Sequence, residues 1–455
     1  MSIMDFSGKH FLVIGAGISG RAASLALAGH GGSVTLNDMK AIDTAEQPWP
    51  DVEAAGVQLV FGSQETNLLD GMDVVVPSPV ISPEIPIMKE AVRRGLPIWS
   101  EVEVACRVTD PDMIGITGSN GKTTTTTLVG EIMKATGRQT VVGGNIGYGL
   151  STQADNLPKE AVVVAELSSF QLEFTHSIKA KAATILNITP DHLDRHHTME
   201  GYAAAKERIF LNQDKGDYAV LNYDDPRVRA MAEDMTGTVV YFSTCGEVPE
   251  GAFYQDGQLI LRLHGQDTVV CAETDLHLFG KHNIQNCLAA ILLTYAAGAP
   301  LDVIRRVLKE FKGVEHRLEK VRTIHGVTYY NDSKGTNVDA SMKALEAFPQ
   351  GHLILIAGGY DKKTPLDDFM ALAAKRVDTL ILIGDAAERF EAAAKKAGIQ
   401  DIRRTGYSME GAIMLARKIA KAPQAVLLSP ACSSFDMYDN FEQRGRVFKG
   451  IVNAI

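Results

Sequence analysis

The chain has few of the features that mark secreted, membrane-spanning or nucleic-acid-binding proteins. Its 455 residues include only five cysteines, which are scattered and form no Cys-x-x-Cys pair. The sequence therefore supports neither a disulfide framework nor a zinc ribbon, and a reducing compartment fits best. A net charge of −10 argues against a nucleic-acid partner, because the phosphates of nucleic acids require a basic surface.

Long hydrophobic runs are also missing. The longest apolar stretch, Leu288 to Ile304, is interrupted by Thr294, Tyr295 and Pro300 and is too short to cross a bilayer, so we interpret it as a core helix. The N-terminal residues do not have the pattern of a signal peptide. We expect a cytoplasmic protein without a membrane partner.

Strand-like and helix-like segments alternate along nearly the whole chain, which is typical of α/β folds with parallel sheets. The length suggests about three domains of ~150 residues each. We predict a Rossmann-like domain over residues 1–98, a central P-loop ATPase-type domain with a mostly parallel sheet over 99–312, and a C-terminal Rossmann-like α/β domain over 313–455. The predicted strands are Phe11–Ile14, Ser33–Leu36, Asp73–Val76, Met113–Ile116, Ala161–Ala165, Ala183–Leu186, Tyr218–Leu221, Val239–Phe242, Val327–Tyr330, Leu353–Ala357, Thr379–Ile383 and Ala425–Leu428, with a meander over 253–270.

The most informative segment runs from Met113 to Thr124, where an apolar strand leads through Gly118-Ser-Asn-Gly-Lys-Thr123 into a helix. Glycines allow backbone N–H groups to face phosphate oxygens, and the helix N-terminus adds partial positive charge. Lys122 can reach the β- and γ-phosphates, and the Thr123 hydroxyl can bind Mg²⁺. The spacing is a variant of the common P-loop, because Ile116 stands where that pattern has its first glycine. We expect this loop to bind ATP.

A second glycine-rich loop, Gly15-Ala-Gly17-Ile-Ser-Gly20, also joins a strand to a helix, and Asp38 ends the next strand. This pattern places a diphosphate at a helix N-terminus but does not say which nucleotide carries it. NAD or FAD would fit, with Asp38 on a ribose. UDP would fit equally, with Ile18 and Ser19 beside the diphosphate and Ser78 at a neighbouring strand end.

Polar residues follow two strands of the central domain. Glu166 ends the strand Ala161–Ala165, where a carboxylate beside a phosphate loop is a natural Mg²⁺ ligand. His192 lies in a loop crowded with acids, a second histidine and Arg195, and it could bind a metal or a phosphate. Lys206, by contrast, lies among alanines on a predicted helix from Met199 to Phe210, and its spacing alone indicates a solvated lysine.

Polar loops also follow the strands of the third domain, and each alone is a weak signal. Asn331-Asp-Ser-Lys334, the lysine Lys362 and Ser434 all come after strands and would lie at one sheet edge. Before these, Asn283 could contact an adenine edge and Arg317 a phosphate.

Taken together, these motifs closely resemble the Mur ligase family, the ATP-dependent amide-bond ligases of bacterial peptidoglycan synthesis. The matching motifs follow in order along the chain: Gly118-Ser-Asn-Gly-Lys-Thr123, Glu166-Leu-Ser-Ser-Phe170, Asp191-His192, His282-Asn283, His316-Arg317 and Asn331-Asp-Ser-Lys334. Three further blocks resemble the members that add D-glutamate to UDP-N-acetylmuramoyl-L-alanine: Gly15 to Gly20, Ser429 to Asp436 and Asn440 to Gly445.

The resemblance implies that the first domain binds the UDP-linked substrate, the second ATP and the third D-glutamate. The implied contacts of the UDP-linked substrate are Ile18, Ser19, Met39, Lys40, Ser78 and Asn145. The implied ATP contacts are Gly118, Asn120, Gly121, Lys122, Thr123, Asn283, Arg317, Asp332 and Lys334. The implied D-glutamate contacts are Thr336, Lys362, Ser434, Phe435 and Phe441. Met39-Lys40 departs from the Thr-Arg pair associated with this position in the family.

The resemblance also implies two Mg²⁺ sites formed by Thr123, Glu166, His192 and Lys206, the last as a carbamate, which reverses the interpretation of Lys206 from its spacing. The implied catalytic residues are Lys122, Glu166, His192, Lys206 and Lys334. We expect a monomer that uses small-molecule substrates, ATP and Mg²⁺.

Three alternatives remain open at the level of the sequence. Gly15 to Gly20 with Asp38 would suit a nucleotide-dependent oxidoreductase, which leaves the phosphate loop and the third domain unexplained. An ATP-binding switch protein would bind ATP without turnover. A folylpolyglutamate synthetase would share the ligase core but should lack this N-terminal domain.

Overall fold

The structure is a computed structural model that describes residues 4–40, 50–147, 149–278, 280–348 and 352–455. The chain divides into two compact units, Met1–Phe311 and Lys312–Ile455. It is an α/β protein with mostly parallel sheets, as the sequence predicts. The first unit contains two of the three sheets, and the second unit begins next to the boundary predicted at 313. The division into three domains stays a prediction.

The first sheet has four parallel strands in the order β3-β2-β1-β4. Its strands are β1 (His10–Ile14), β2 (Ser33–Asp38), β3 (Gln58–Phe61) and β4 (Val74–Pro77). The accompanying helices are α1 (Ile18–Gly29), α2 (Pro50–Ala54), α3 (Pro86–Arg93) and α4 (Glu101–Val108). The continuous apolar runs of β1 and β4 are buried on both faces, as is typical of parallel sheets.

The second sheet has nine strands in the order β13-β12-β11-β10-β9-β8-β5-β7-β6. Its strands are β5 (Asp112–Thr117), β6 (Thr140–Gly144), β7 (Val162–Glu166), β8 (Ala180–Ile185), β9 (Tyr218–Asn222), β10 (Thr238–Ser243), β11 (Gly251–Gln255), β12 (Gln258–Leu263) and β13 (Gln266–Ala272). The helices of this part are α5 (Lys122–Ala135), α6 (Leu150–Gln153), α7 (Ser169–Glu173), α8 (Leu193–His196), α9 (Met199–Glu207), α10 (Pro226–Ala230), α11 (Lys281–Ala296) and α12 (Leu301–Glu310). All neighbouring strands from β6 along the sheet order to β11, including β5, pair in parallel. The predicted meander forms the antiparallel end of the sheet, where β12 pairs with β11 and β13. Because β5 lies between β8 and β7 in the interior of the sheet, the loop after it is flanked by the ends of two parallel strands.

The sheet of the second unit has the order β14-β15-β19-β16-β17-β18. Its strands are β14 (Glu319–Ile324), β15 (Val327–Asn331), β16 (Leu353–Gly358), β17 (Val377–Ile383), β18 (Asp401–Arg404) and β19 (Ala425–Leu428). Its helices are α13 (Val338–Glu346), α14 (Asp367–Arg376), α15 (Ala387–Lys396), α16 (Met409–Ile419) and α17 (Phe441–Ala454). All pairs are parallel except the β14–β15 hairpin.

The prediction of one core helix over Leu288 to Ile304 is wrong. The segment belongs to two helices, since α11 ends at Ala296 and α12 begins at Leu301, directly after Pro300. Proline has no N–H to donate and disfavours a helical residue before it, so the break follows from its position. Within the described ranges, the helices are all too short or too polar to cross a membrane.

Candidate active site

The phosphate loop connects β5 to α5 through backbone conformations that favour glycine. Gly118 has a φ of +148° and Gly121 a φ of +86°. A Cβ atom on Gly121 would lie 2.4 Å from Oδ1 of Asn286, so the position has no room for a side chain. Because α5 begins at Lys122, the N–H groups of its first turn have no partners within the helix. The loop is therefore shaped to receive an anion.

Hydrogen bonds hold this loop in one shape. The Nζ of Lys122 donates to the carbonyl oxygens of Gly118 at 2.8 Å and Ser119 at 2.9 Å. The N–H of Asn120 donates to Oδ1 of Asn187 at 2.8 Å, and Nδ2 of Asn187 returns a bond to the Asn120 carbonyl at 3.1 Å. Since Asn187 follows β8, the neighbouring strand fixes the loop.

Glu166 ends β7, in register with Ile116 of β5 and Gly144 of β6, and its side chain is buried. Its Oε1 accepts a hydrogen bond from Nδ2 of Asn145 at 2.9 Å. Its Oε2 is buried and has no hydrogen-bond partner among the described residues. A buried carboxylate oxygen without a partner is costly, and a bound cation would satisfy it.

Lys206 is buried, with 1% of its surface exposed, so the solvated lysine indicated by its spacing is wrong. The alanines around it let α9 pack closely against the core, which brings the lysine side chain inside. Its Nζ donates to the Gly118 carbonyl at 3.0 Å and lies 3.3 Å from Oγ1 of Thr117. Burial, reinforced by repulsion from Lys122, holds the pKa of Lys206 well below its ordinary value.

His192 lies on the surface beside this group, with a positive φ of 53°. Its ring centroid is 4.8 Å from that of Phe170, and its backbone N–H donates to Oδ1 of Asp191 at 2.9 Å. Lys122 and Lys206 both bond the Gly118 carbonyl, and the charges of Asp191 and Glu166 act on Lys206. The structure thus gathers Lys122, Glu166 and Lys206 at the edge of the second sheet.

Asn283 lies in the first turn of α11, which packs against α5. Nδ2 of Asn286 donates to Oδ1 of Asn283 at 3.1 Å, and the side-chain oxygen Oδ1 of Asn286 faces Gly121. Asn286 is not among the residues predicted from the sequence. Its spacing could have indicated it, because asparagines three apart share one face of a helix.

The candidate residues of the first sheet lie together at the ends of β1, β2 and β4. Oγ of Ser78 donates to the Gly15 carbonyl at 2.9 Å. The carboxylate of Asp38 accepts from the N–H groups of Ala16 at 2.8 Å and Lys40 at 2.9 Å, so it braces the glycine-rich loop. Ile18 and Met39 are exposed, at 65% and 61%. The structure places Ser19 in the first turn of α1 and Asn145 beside Glu166.

In the second unit, Asp332 follows β15 and is buried. Its Oδ2 accepts from Oγ of Ser429 at 2.7 Å, and its Oδ1 from the N–H of Leu318 at 3.2 Å. Burial raises the pKa of Asp332 to about 6, although the hydroxyl of Ser429 and the charge of Arg317 oppose the shift. Arg317 is half-buried, and the backbone N–H of Lys334 donates to the His316 carbonyl at 3.0 Å.

The candidate D-glutamate contacts lie after β15, β16 and β19. Nζ of Lys362 donates to the Thr336 carbonyl at 3.0 Å. Ser434 is buried, whereas Phe435 is 69% exposed. The ring of Phe441 lies 5.9 Å from Nζ of Lys334.

Arg444, which the sequence analysis did not select, joins two of these loops. It is fully buried, and its guanidinium donates to Oγ and the carbonyl of Ser333 and to the carbonyls of Cys432 and Ser433. A single sequence gives no signal for such a role, because most of the acceptors are backbone carbonyls, which every residue supplies, and Ser333 lies 111 residues away along the chain.

A second group of possible metal ligands lies in this unit, formed by Glu315, His316 and Glu319. Nζ of Lys449 donates to Glu315 at 2.9 Å and to Glu319 at 2.5 Å. The lysine already supplies a cation to these carboxylates, so the group is best explained as an ion-pair network.

Models of known protein families match a segment of each unit. The model of the Mur ligase middle domain matches residues 116–294, and the model described as Mur ligase, glutamate ligase domain matches residues 316–432. The UDP-N-acetylmuramoylalanine–D-glutamate ligase of Desulfitobacterium hafniense is 45% identical to this chain, covering 99% of the chain and 98% of that protein. The ligase of the same name from Pelotomaculum thermopropionicum is 43% identical, covering 100% and 99%.

Solved structures with similar folds are more distant in sequence. A pseudomurein peptide ligase type C from Methanothermus fervidus has a TM-score of 0.58 at 20% identity and covers 98% of this chain and 100% of its own. MurF from Acinetobacter baumannii has a TM-score of 0.60 at 16% identity and covers 97% of this chain and 93% of its own. At these identities the likeness concerns the fold alone.

Proposed function

The chain belongs to the Mur ligase family, and from this membership we propose that it joins UDP-N-acetylmuramoyl-L-alanine to D-glutamate in an ATP-dependent step of peptidoglycan precursor synthesis. The observation that carries the proposal is the full-length identity of 45% to a ligase with this named activity. The phosphate loop beside buried Glu166 and Lys206 is consistent with it. Membership of this ligase family also argues against the two alternative functions, a nucleotide-dependent oxidoreductase and an ATP-binding switch protein.

The chemistry requires activation of the substrate carboxylate, since an amine does not displace its oxygen at neutral pH. Attack of a carboxylate oxygen on the γ-phosphorus of ATP gives an acyl phosphate and ADP. The amine of D-glutamate then attacks the acyl carbon, and inorganic phosphate leaves as the amide forms. Phosphoryl transfer depends mainly on positioning and neutralisation of charge, for which Lys122 and the N-terminus of α5 are suited.

The residues present fit the Mg²⁺ that this chemistry uses. The buried, unpartnered Oε2 of Glu166 is a hard oxygen donor that a cation would satisfy, and Thr123 stands in the first turn of α5. We assign Thr123, Glu166, His192 and a carbamate of Lys206 to two Mg²⁺ sites. Bound Mg²⁺ would neutralise the negative charge of the phosphates and of the substrate carboxylate.

The carbamate of Lys206 has a physical basis in the burial of the side chain. A lowered pKa favours the neutral amine, which can add to the carbon of CO₂ with loss of one proton. The modification replaces a cation that would repel Mg²⁺ with an anionic oxygen ligand.

The remaining assignments follow the family motifs. We assign ATP contacts to Gly118, Asn120, Gly121, Lys122, Thr123, Asn283, Arg317, Asp332 and Lys334. We assign the UDP-linked substrate to Ile18, Ser19, Met39, Lys40, Ser78 and Asn145, and D-glutamate to Thr336, Lys362, Ser434, Phe435 and Phe441. We propose that the enzyme acts as a cytoplasmic monomer.

Release of phosphate from ATP tests the substrate assignment. The protein is mixed with UDP-N-acetylmuramoyl-L-alanine, Mg²⁺ and, in turn, D-glutamate, L-glutamate, L-lysine or meso-diaminopimelate. We expect release and an amide product with D-glutamate alone. Release only with another amino acid would keep the ligase activity and change the assigned amino-acid substrate. The absence of release with any of them would contradict the proposal.

A further inference from the structure

Arg195 links helix α8 to the loop after β4 and to the end of α7, although neither its motif nor the proposed chemistry gives it a role. Its side chain is 9% exposed. Its Nη1 donates to the carbonyl of Ile81 at 2.7 Å and to that of Pro79 at 3.3 Å, both in the loop after β4. Its Nε and Nη2 donate to Oε2 of Glu173 at 3.1 and 2.9 Å, at the end of α7.

The loop after β4 is the one that carries Ser78. The N–H of Ile81 donates to the Ser78 carbonyl at 2.9 Å, which closes a turn. Oγ of Ser78 bonds the Gly15 carbonyl and so joins this turn to the glycine-rich loop of the first sheet. Arg195 therefore holds the carbonyls of Pro79 and Ile81 in a turn whose first residue, Ser78, bonds the glycine-rich loop.

Arg195 also supports His192 through an aromatic ring. Its Cζ lies 4.6 Å from the centroid of the Phe170 ring, which is within the range of a cation–π contact. The same ring lies 4.8 Å from the ring of His192. One guanidinium thus determines both where the turn after β4 lies and where the His192 ring rests.

We propose that Arg195 is a positioning residue that fixes the position of the Ser78 turn relative to the His192 ring. The UDP-linked substrate is then bound with its carboxylate end at the phosphate loop. This inference rests on the proposed function. Arginine suits the task because its planar, five-donor group can satisfy two carbonyls and a carboxylate at once, whereas lysine offers three donors at one point.

Arg208 provides a matched control. It is also partly buried in the same unit and also bonds backbone carbonyls, those of Leu172 at 2.8 Å and Thr175 at 2.6 Å. Its third side-chain hydrogen bond among the described residues goes to Nδ1 of His176, and none goes to the loop after β4. A purely structural role would make Arg195→Lys and Arg208→Lys behave alike.

The test compares these two variants with the wild-type protein by titration with UDP-N-acetylmuramoyl-L-alanine and, separately, with ATP and Mg²⁺, alongside thermal unfolding. We expect Arg195→Lys to weaken binding of the UDP-linked substrate about tenfold or more, because bonds to a charged group are lost. Binding of ATP should stay within about twofold, and Arg208→Lys should leave both affinities near the wild-type values.

Equal weakening for both ligands, equal weakening in both variants, or unchanged binding in Arg195→Lys would each overturn the proposal. If Arg195→Lys does not fold, Glu173→Gln takes its place, because it keeps the guanidinium and removes the charge that orients it. It should weaken binding of the UDP-linked substrate alone, and unchanged binding would again overturn the proposal. Binding is measured without turnover, so a failure of the ligase assignment in the phosphate-release assay is a separate result.

Discussion

At the scale of single residues, the side chains of Lys122 and Lys206 share one hydrogen-bond acceptor, the carbonyl of Gly118. Lys122, Glu166 and His192 stand after strands, and that position alone suggests a ligand edge. Lys206 gave the opposite signal, because its neighbours on the helix resemble a solvent-exposed surface. What the sequence could not contain is the packing of α9 against the phosphate loop, which brings Nζ of Lys206 to 3.0 Å from the Gly118 carbonyl.

The carbamate assignment predicts the behaviour of Lys206→Ala. We expect ligase activity to fall by roughly a hundredfold or more, because an anionic group beside the reacting charges is lost. Short carboxylic acids such as acetate should restore part of it by supplying oxygen ligands in the space left by the side chain. Lys134→Ala is the control, since Lys134 is exposed on α5 and pairs with Glu131. Full activity of Lys206→Ala, or no recovery in a folded variant, would count against the carbamate.

Asp332 predicts a pH dependence of stability. Its pKa rises from 3.8 to about 6 on folding, so between these values the folded state binds more protons than the unfolded state. Stability from this group is therefore present at low pH and is lost as the pH rises from about 4 to 6, by up to about 3 kcal/mol.

Denaturant unfolding of the wild type and of Asp332→Asn at pH 4, 5, 6 and 7 measures this effect. The difference in unfolding free energy between the two proteins should shift in favour of Asp332→Asn as the pH rises through this window. A constant difference across the series would show that the carboxyl does not titrate in it.

At the scale of helices and strands, the prediction worked where strands are buried on both sides. The central strands β1, β5, β7 and β16 are continuous apolar runs, and their positions agree with the prediction to within a few residues. The strands that the sequence did not predict share another property, which is that each lies at the edge of its sheet: Gln58–Phe61, Thr140–Gly144, Glu319–Ile324 and Asp401–Arg404. An edge strand packs on fewer neighbours, so its residues need not form an apolar run.

The junction of β5 and α5 predicts a specific effect of Gly121→Ala. The added methyl group would meet Oδ1 of Asn286 at 2.4 Å and would strain a φ of +86°, so we expect the loop to shift and the affinity for ATP to fall by about tenfold or more. Gly137→Ala is a matched control in the turn after the same helix, with the same φ of +86° and no atom within 4 Å of the added methyl group.

ATP titration and thermal unfolding of both variants distinguish loop geometry from backbone strain. Gly137→Ala should cost stability of about 1 kcal/mol without changing ATP affinity. Equal ATP affinities in the two variants would mean that the phosphate loop tolerates the methyl group.

At the scale of the whole molecule, composition and alternation predicted an α/β protein, and the order of motifs predicted its family. Each of the two compact units, Met1–Phe311 and Lys312–Ile455, contains its own group of candidate residues. Contacts that shape these groups, such as Arg195 to Ile81 and Arg444 to Ser333, join residues far apart in the chain through backbone carbonyls. Because any residue supplies a carbonyl, one sequence carries no mark of them.

We propose that this chain activates a carboxylate as an acyl phosphate before it forms the amide. UDP-N-acetylmuramoyl-L-alanine labelled with ¹⁸O in its carboxylate tests it directly, with ATP, Mg²⁺ and D-glutamate present. Since phosphate leaves with the oxygen that attacked the γ-phosphorus, we expect one ¹⁸O atom in each phosphate released. Unlabelled phosphate accompanied by amide product would contradict it.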